Sequence, residues 1–364
     1  MGGEHPGVGD LVAATRPQFR RHPRGPQQPS PSRHAPGTPG HVGQSVTWTP
    51  SRALRRLTVA TALATYLLVV MGGVVRVSGS GLGCGDRDQW PLCHGGLLPP
   101  LERTALIEFT HRWVAAIATG LVIALAVVVW TRYRNVRWLR NGATAIVVLF
   151  IAQIVLGAIT VEFNLPSGVI MIHLANALLL LGALVWIAVT TATAGSARAR
   201  PSLGTVRLAG VAVAATYVLA LSGALVVDQG AGAACAGWPL CGNGFQFSAG
   251  RFADINLLHR VVAAIVVLLL GYSMVKMRRA RPGDRALRLA TLSVTLLIVA
   301  QVAAGALLVD QHLPAAVRGI HLALASALWA CVVVSAVIAR GVTSTEVAGG
   351  TRLDRSLAAR VAAS

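Results

Sequence analysis

The sequence predicts an all-α integral membrane protein whose eight transmembrane helices form two pseudo-symmetric four-helix bundles. Three observations carry that prediction. The chain is 54% hydrophobic and only 12% charged, with a positive mean hydropathy, too apolar for a soluble domain of 364 residues. Eight apolar stretches are long enough to cross ~30 Å of hydrocarbon, which takes ~20 helical residues. The second half of the chain also repeats the first at a fixed offset, so each half is expected to be one structural unit.

The spans fall at roughly 57–76, 108–130, 142–162 and 169–191 in the first half, and at 206–227, 255–276, 288–309 and 315–340 in the second. The repeat is defined by His111 with His259 and His173 with His321, each pair 148 positions apart (259 − 111 and 321 − 173). The same offset relates Trp90-Pro91-Leu92-Cys93 to Trp238-Pro239-Leu240-Cys241, Arg112 to Arg260, and Gln153 to Gln301. Gly157 and Gly305, and Leu165-Pro166 and Leu313-Pro314, follow it too. The N-terminal half is therefore assigned to 57–191 and the C-terminal half to 206–340, joined by a cytoplasmic linker at 192–205.

The formal net charge of +19 is distributed for membrane orientation, not for a nucleic-acid partner. Arg132, Arg134, Arg137 and Arg140 crowd the loop 131–141, and Arg198, Arg200 and Arg207 the next such loop. Lys276, Arg278, Arg279, Arg281 and Arg285 crowd the third, and both tails are basic. By the positive-inside tendency these segments and both termini face the cytoplasm. The loops 77–107, 163–168, 228–254 and 310–314 then face outward, their few arginines offset by Asp86, Asp88, Glu102, Asp228 and Asp254.

Residues 1–56, rich in Pro, Gly, Arg and Gln, are expected to be a disordered cytoplasmic tail, and 341–364 a second tail. The first long apolar run is expected to be a retained span, not a cleaved signal. The prolines of the tail argue against the amphipathic helix of a mitochondrial presequence. Using one Lys against many Arg is the habit of a GC-rich bacterial genome and places the protein in a bacterial plasma membrane.

Four of the five cysteines lie in the two long outer loops, as Cys84 with Cys93 and Cys235 with Cys241. The outer side of a bacterial membrane permits disulfides, and each pair would close a short loop. A metal site with His94 as an added ligand competes with that expectation, but two sulfurs per loop are too few for it. Cys331, alone in a span, reads as core packing.

Ionisable groups inside a span are expensive and usually functional. His111 and His173 lie near the outer ends of the second and fourth spans, which run in the same direction, so their imidazoles sit at similar depth. His259 and His321 repeat the arrangement. Two opposed imidazoles within a helical bundle suit the axial positions of a haem iron. A tetrahedral zinc or a di-metal centre would need further carboxylates or thiolates at that depth. Gly157, Gly182, Gly223 and Gly305 would let helices or a flat macrocycle approach closely. Gln153 and Gln301 read as interhelical hydrogen bonds.

The repeat breaks at one telling position. Glu108 lies three residues before His111, on the same helix face, whereas its counterpart is Asn256. A carboxylate beside one site and a neutral amide beside the other suggest two jobs, chemistry in the first half and a permanent cofactor in the second. The alternative is that Glu108 caps the start of its helix.

Gly79-Ser80-Gly81-Leu82 before Cys84, the Trp90-Pro91-Leu92-Cys93 box, Glu108-Phe109-Thr110-His111-Arg112 and the duplicated halves resemble bacterial haem A synthases over about 57–340. The resemblance implies oxidation of the C8 methyl group of haem O to a formyl group, by way of a hydroxymethyl intermediate, giving haem A for terminal oxidases. It implies that His111 and His173 flank the substrate haem with Glu108 as the catalytic carboxylate. It also implies that His259 and His321 hold a haem b cofactor for electron transfer. Cys84 with Cys93 and Cys235 with Cys241 match the outer-loop pairs of that family. Haem O synthase is the expected supplier, an electron donor is required, membrane lipid surrounds the chain, and a homo-oligomer is compatible with it. A rival from another class, a di-haem membrane electron carrier between a quinol and an outer acceptor, explains the four histidines but neither the contrast of Glu108 with Asn256 nor the two stapled loops. A haem transporter would instead predict a path through the membrane.

Overall fold

Peptide groups in hydrocarbon have no water to bond, so each apolar run closes its hydrogen bonds within one helix. A computed structural model describes residues 49–85, 92–194, 202–242 and 250–341. It contains eight long helices: α1 Arg52–Val77, α2 Arg103–Arg132, α3 Arg137–Glu162, α4 Ser167–Thr193, α5 Leu203–Asp228, α6 Arg251–Ala280, α7 Arg285–Asp310 and α8 Ala315–Arg340. All eight are long and apolar enough to cross a membrane. Residues 1–48 of the expected tail lie outside the described residues, as do 195–201 of the linker, 342–364, and Trp90-Pro91 of the first box.

Seven of the eight helices begin earlier than the apolar runs suggest. Helices α1, α2, α3, α6 and α7 each open on an arginine. Apolarity marks only the stretch in hydrocarbon, whereas helical hydrogen bonding continues through the headgroup layer, where a long cationic side chain reaches water. Residues 52–56, expected to belong to the tail, are helical. Ser51, Ser202 and Asp284 cap α1, α5 and α7 by accepting from Leu54, Thr205 and Leu287 N–H groups.

Within the first half, α1 packs on α2 and α4, and α3 packs on α2 and α4, which closes a ring. Helices α2 and α4 thus stand diagonally opposite each other. Helices α5 to α8 close an equivalent ring, with α6 opposite α8. The turns α3–α4 and α7–α8 share a backbone form. Asn164-Leu165 and His312-Leu313 both take left-handed conformations, and Leu165 and Leu313 N–H groups close onto the Thr160 and Leu308 carbonyls.

Helices α4 and α8 are central, because α4 touches α5 and α8 touches α1 in addition to each other. One apolar core joins Leu178, Leu181 and Leu184 of α4 to Val333 and Val337 of α8. A second gathers Leu270, Met274, Val294 and Val332. Exposed Leu63, Leu67, Ile117, Ile151, Leu268 and Val299 cover the outer faces, as a lipid-facing surface requires.

Two tyrosines stitch the halves together. The Tyr66 hydroxyl on α1 donates to the Ala323 carbonyl on α8 at 3.3 Å, and the Tyr217 hydroxyl on α5 donates to the Ala175 carbonyl on α4 at 3.1 Å. The acceptors are 148 positions apart (323 − 175) and the donors 151 (217 − 66). Trp329 on α8 adds an indole N–H bond to the Leu178 carbonyl at 2.8 Å. Replacing both Tyr66 and Tyr217 by Phe should lower stability in detergent by about 1 kcal/mol, at ~0.6 kcal/mol per bond between membrane helices. Thermal unfolding of the single and double variants checks that sum.

Candidate functional site

Sequence places a histidine in an early turn of α2, α4, α6 and α8, and the ring arrangement turns each pair inward. Because α2 and α4 are diagonal, His111 and His173 face each other across the first bundle and lie within electrostatic range. His259 and His321 stand in the same relation across the second. Among the described residues, no three His, Cys, Asp or Glu side chains group to hold a metal ion.

Each imidazole rests against a glycine of the neighbouring helix. A Cβ atom at Gly72 would sit 3.4 Å from His111 Cε1, at Gly157 3.3 Å from His173 Cε1, at Gly223 3.1 Å from His259 Cε1, and at Gly305 3.4 Å from His321 Cε1. A side chain there would crowd the ring toward the bundle centre. Gly182, grouped with these from the sequence, instead admits the Trp329 indole. Gly72 escaped the sequence comparison. It matches Gly223 at an offset of 151, because the first cysteine loop is three residues longer (93 − 84 against 241 − 235).

The ring nitrogens differ in their partners. Nδ1 of His111, His173 and His321 is buried with no hydrogen-bond partner. Nδ1 of His259 meets Ser222 Oγ at 2.8 Å. Nε2 of His173 and Nε2 of His321 face the side-chain nitrogens of Gln153 and Gln301 at 3.0 and 3.2 Å. These glutamines do bridge helices, and what they reach is the histidines.

Over each site lies a cysteine loop. Cys84 is bonded to Cys93, and Cys235 to Cys241. The first loop lies directly on α2, where a Cβ atom at Gly83 would sit 2.3 Å from the Thr104 carbonyl oxygen, so only glycine fits. His94 turns its ring to the Gly83 carbonyl, Nε2 to oxygen at 3.0 Å.

Glu108 belongs to the fixing of this loop, not to the cap of α2, which starts five residues earlier. Glu108 is buried, 4% exposed. Oε2 accepts from the Cys84 N–H at 2.9 Å, and Oε1 accepts from Arg112 Nε at 3.1 Å and Nη2 at 2.5 Å. Arg112 also donates to the Leu92 carbonyl at 2.9 Å. In the second half Asn256 reverses the polarity. Its amide donates to the Ala231 and Gly232 carbonyls at 2.9 and 3.1 Å, and its oxygen accepts from Arg260 at 2.9 Å. Arg260 reaches the Cys235 and Gly237 carbonyls at 2.8 and 2.6 Å. The arginine clasp is common to both loops, and the fixed negative charge belongs to the first alone.

Removing the two arginines should therefore cost different amounts. Arg112→Ala leaves a buried carboxylate without its counter-charge and should destabilise by about 3 kcal/mol. Arg260→Ala strands only neutral groups, at about 1 kcal/mol. Thermal unfolding in detergent with the disulfides intact measures both, and equal losses would refute the charge argument.

Comparison with known proteins agrees with this architecture. The family model described as COX15-CtaA, cytochrome oxidase assembly protein, matches residues 55–333. A heme A synthase of Symbiobacterium thermophilum is 34% identical over 294 residues, covering 76% of this chain and 92% of that protein. That of Alkalihalophilus pseudofirmus is 30% identical over 285 residues, 76% of this chain and 94% of its own length. That of Bacillus licheniformis is 27% identical over 269 residues, 72% and 88% respectively. With its eight membrane helices and this match across both halves, the chain belongs to the COX15-CtaA family of cytochrome oxidase assembly proteins.

Proposed function

We propose that this chain is a haem A synthase, which oxidises the C8 methyl group of haem O to the formyl group of haem A for terminal oxidases. The observation that carries the assignment is the pair of diagonal histidine sites that differ in charge, one beside Glu108 and the other beside Asn256. A buried carboxylate is costly to keep. Its presence at one site of a duplicated pair marks that site for chemistry.

The residues suit a flat iron macrocycle at both sites. Each site offers two imidazoles on opposed helices, each held against a glycine. Three of them have a buried Nδ1 without a hydrogen-bond partner. His111 and His173 would hold the substrate haem O, and His259 and His321 a haem b cofactor. Held by those two imidazoles, a haem b would supply one-electron transfer chemistry.

Methyl to formyl is two successive two-electron oxidations: water would add to give the hydroxymethyl group and then the hydrated aldehyde, which loses water. Each oxidation would pass two electrons to an external acceptor and release two protons, so positive charge develops at the substrate. Glu108 is placed to hold a fixed negative charge beside that change. Oε2 accepts from the Cys84 N–H and Oε1 from Arg112, which fixes the orientation of the carboxylate. Arg112 and the Cys84–Cys93 loop keep the carboxylate aimed and the site covered. The arginine-rich helix ends and both termini would face the cytoplasm and the cysteine loops the outside, as the positive-inside tendency dictates.

Haems extracted from a host that makes haem O, with and without this chain, should show haem A or its hydroxymethyl precursor only when the chain is present. Unchanged haem O beside tightly bound haem b in folded protein would instead identify a membrane electron carrier. Glu108→Gln should slow conversion by about 100-fold and accumulate the hydroxymethyl haem, as read by mass analysis. The double variant His259→Ala, His321→Ala should abolish the haem b spectrum.

A further inference from the structure

The two sites differ around their histidines in a second way, apart from Glu108. In the first half, Asn176 Nδ2 donates to the Leu149 carbonyl at 2.9 Å and to Gln153 Oε1 at 2.7 Å. This braces the Gln153 amide with its nitrogen toward His173 Nε2, 3.0 Å away. An amide nitrogen only donates, so the imidazole nitrogen accepts with its single lone pair. That is the lone pair an iron would take. Gln153 and a haem iron therefore compete for one atom.

In the second half the brace is missing. Gln301 approaches His321 Nε2 at 3.2 Å, but Leu324 stands at the position of Asn176 (324 − 148). Gln301 Oε1 is buried without a hydrogen-bond partner. The other histidine of each pair points the same way. Ser222 gives its one proton to the Leu219 carbonyl at 2.7 Å, so its oxygen accepts from His259 Nδ1–H at 2.8 Å. This fixes the tautomer that leaves Nε2 free for iron and strengthens it as a ligand. Met71 occupies the matching place in the first half (222 − 151), and His111 Nδ1 has no partner.

We propose that these two contrasts set how long each site keeps its haem: the braced Gln153 makes His173 a replaceable ligand, so the first-half haem exchanges, whereas Ser222 and the unbraced Gln301 make the second-half haem permanent. The step is a ligand substitution. His173 Nε2 would be given up by the iron and would take the Gln153 N–H bond seen here, with no electron or proton transferred. Because Asn176 already holds the amide in place, the replacement bond needs little further ordering, and Nε2 is not left without a partner. At His321 the amide must be ordered first and its oxygen stays unsatisfied. A synthase needs this difference, since it must release product from one site while retaining its cofactor in the other. The inference rests on the substrate and cofactor assignment given above.

The test is haem transfer from the full-length protein in detergent to excess apomyoglobin, followed by absorbance, with chromatography of the haems that co-purify. The unaltered protein should lose haem O or haem A in a fast phase and haem b in a slow one. Asn176→Leu should slow the fast phase about tenfold, within the range for altering a group that orients a ligand, and raise co-purified haem A relative to haem b. Leu324→Asn and Ser222→Met should each speed the slow phase. General loosening of the bundle would accelerate both phases together in any of the three variants, and that result, or phases unchanged in all three, overturns the proposal. If the unaltered protein releases all its haem in one phase and converts no haem O, the substrate and cofactor assignment itself fails. Conversion with unaltered phases in the variants refutes the exchange proposal alone.

Discussion

An imidazole buried among apolar helices must be held in place and its polar atoms accommodated, and the molecule meets that requirement four times. Histidines on diagonal helices reach each bundle axis from opposite sides, and a glycine on the adjacent helix lets each ring sit close to the backbone. Four polar side chains in the spans, Gln153, Asn176, Ser222 and Gln301, contact these rings or brace what contacts them. In hydrocarbon an unpaired polar atom is costly, so the small set of polar partners decides how each histidine behaves.

The cysteine loops extend the constraint to the bundle ends. Each loop is closed by a disulfide and tied to the underlying helix by an arginine one residue after the histidine. Loop position and imidazole position are thereby set by one stretch of helix. The residue one turn earlier in that stretch carries the difference between the halves. Glu108 receives a backbone N–H, whereas Asn256 gives hydrogen bonds to backbone carbonyls. The same clasp thus surrounds a charge on one side of the molecule and none on the other.

Duplication also explains how the halves are joined. Tyr66 and Tyr217 reach reciprocally across the contact between halves to carbonyls two residues beyond His321 and His173. Each half therefore grips the helix that carries one histidine of the other. Trp329, Asn176 and Ser222 have no equivalent at the matching positions, where Leu181, Leu324 and Met71 stand. Symmetric contacts hold the assembly, and the asymmetric ones distinguish the two sites.

The sequence by itself determined the membrane class, the eight spans, the duplicated histidines, the paired cysteines and the contrast of Glu108 with Asn256. These rest on composition, run length and spacing, which are local or periodic quantities. The helices run past the apolar stretches because apolarity stops at the edge of the hydrocarbon and helical hydrogen bonding does not. Gly72 and Ser222 were hidden because a shorter second loop shifts the repeat from 148 to 151 ahead of it. Only the tertiary structure showed that α2 opposes α4, that Glu108 is clamped between Arg112 and the Cys84 N–H, and that Gln153 is braced against His173. Those facts depend on which helices become neighbours and which way a side chain turns once they have, and no pattern along a single chain encodes that directly.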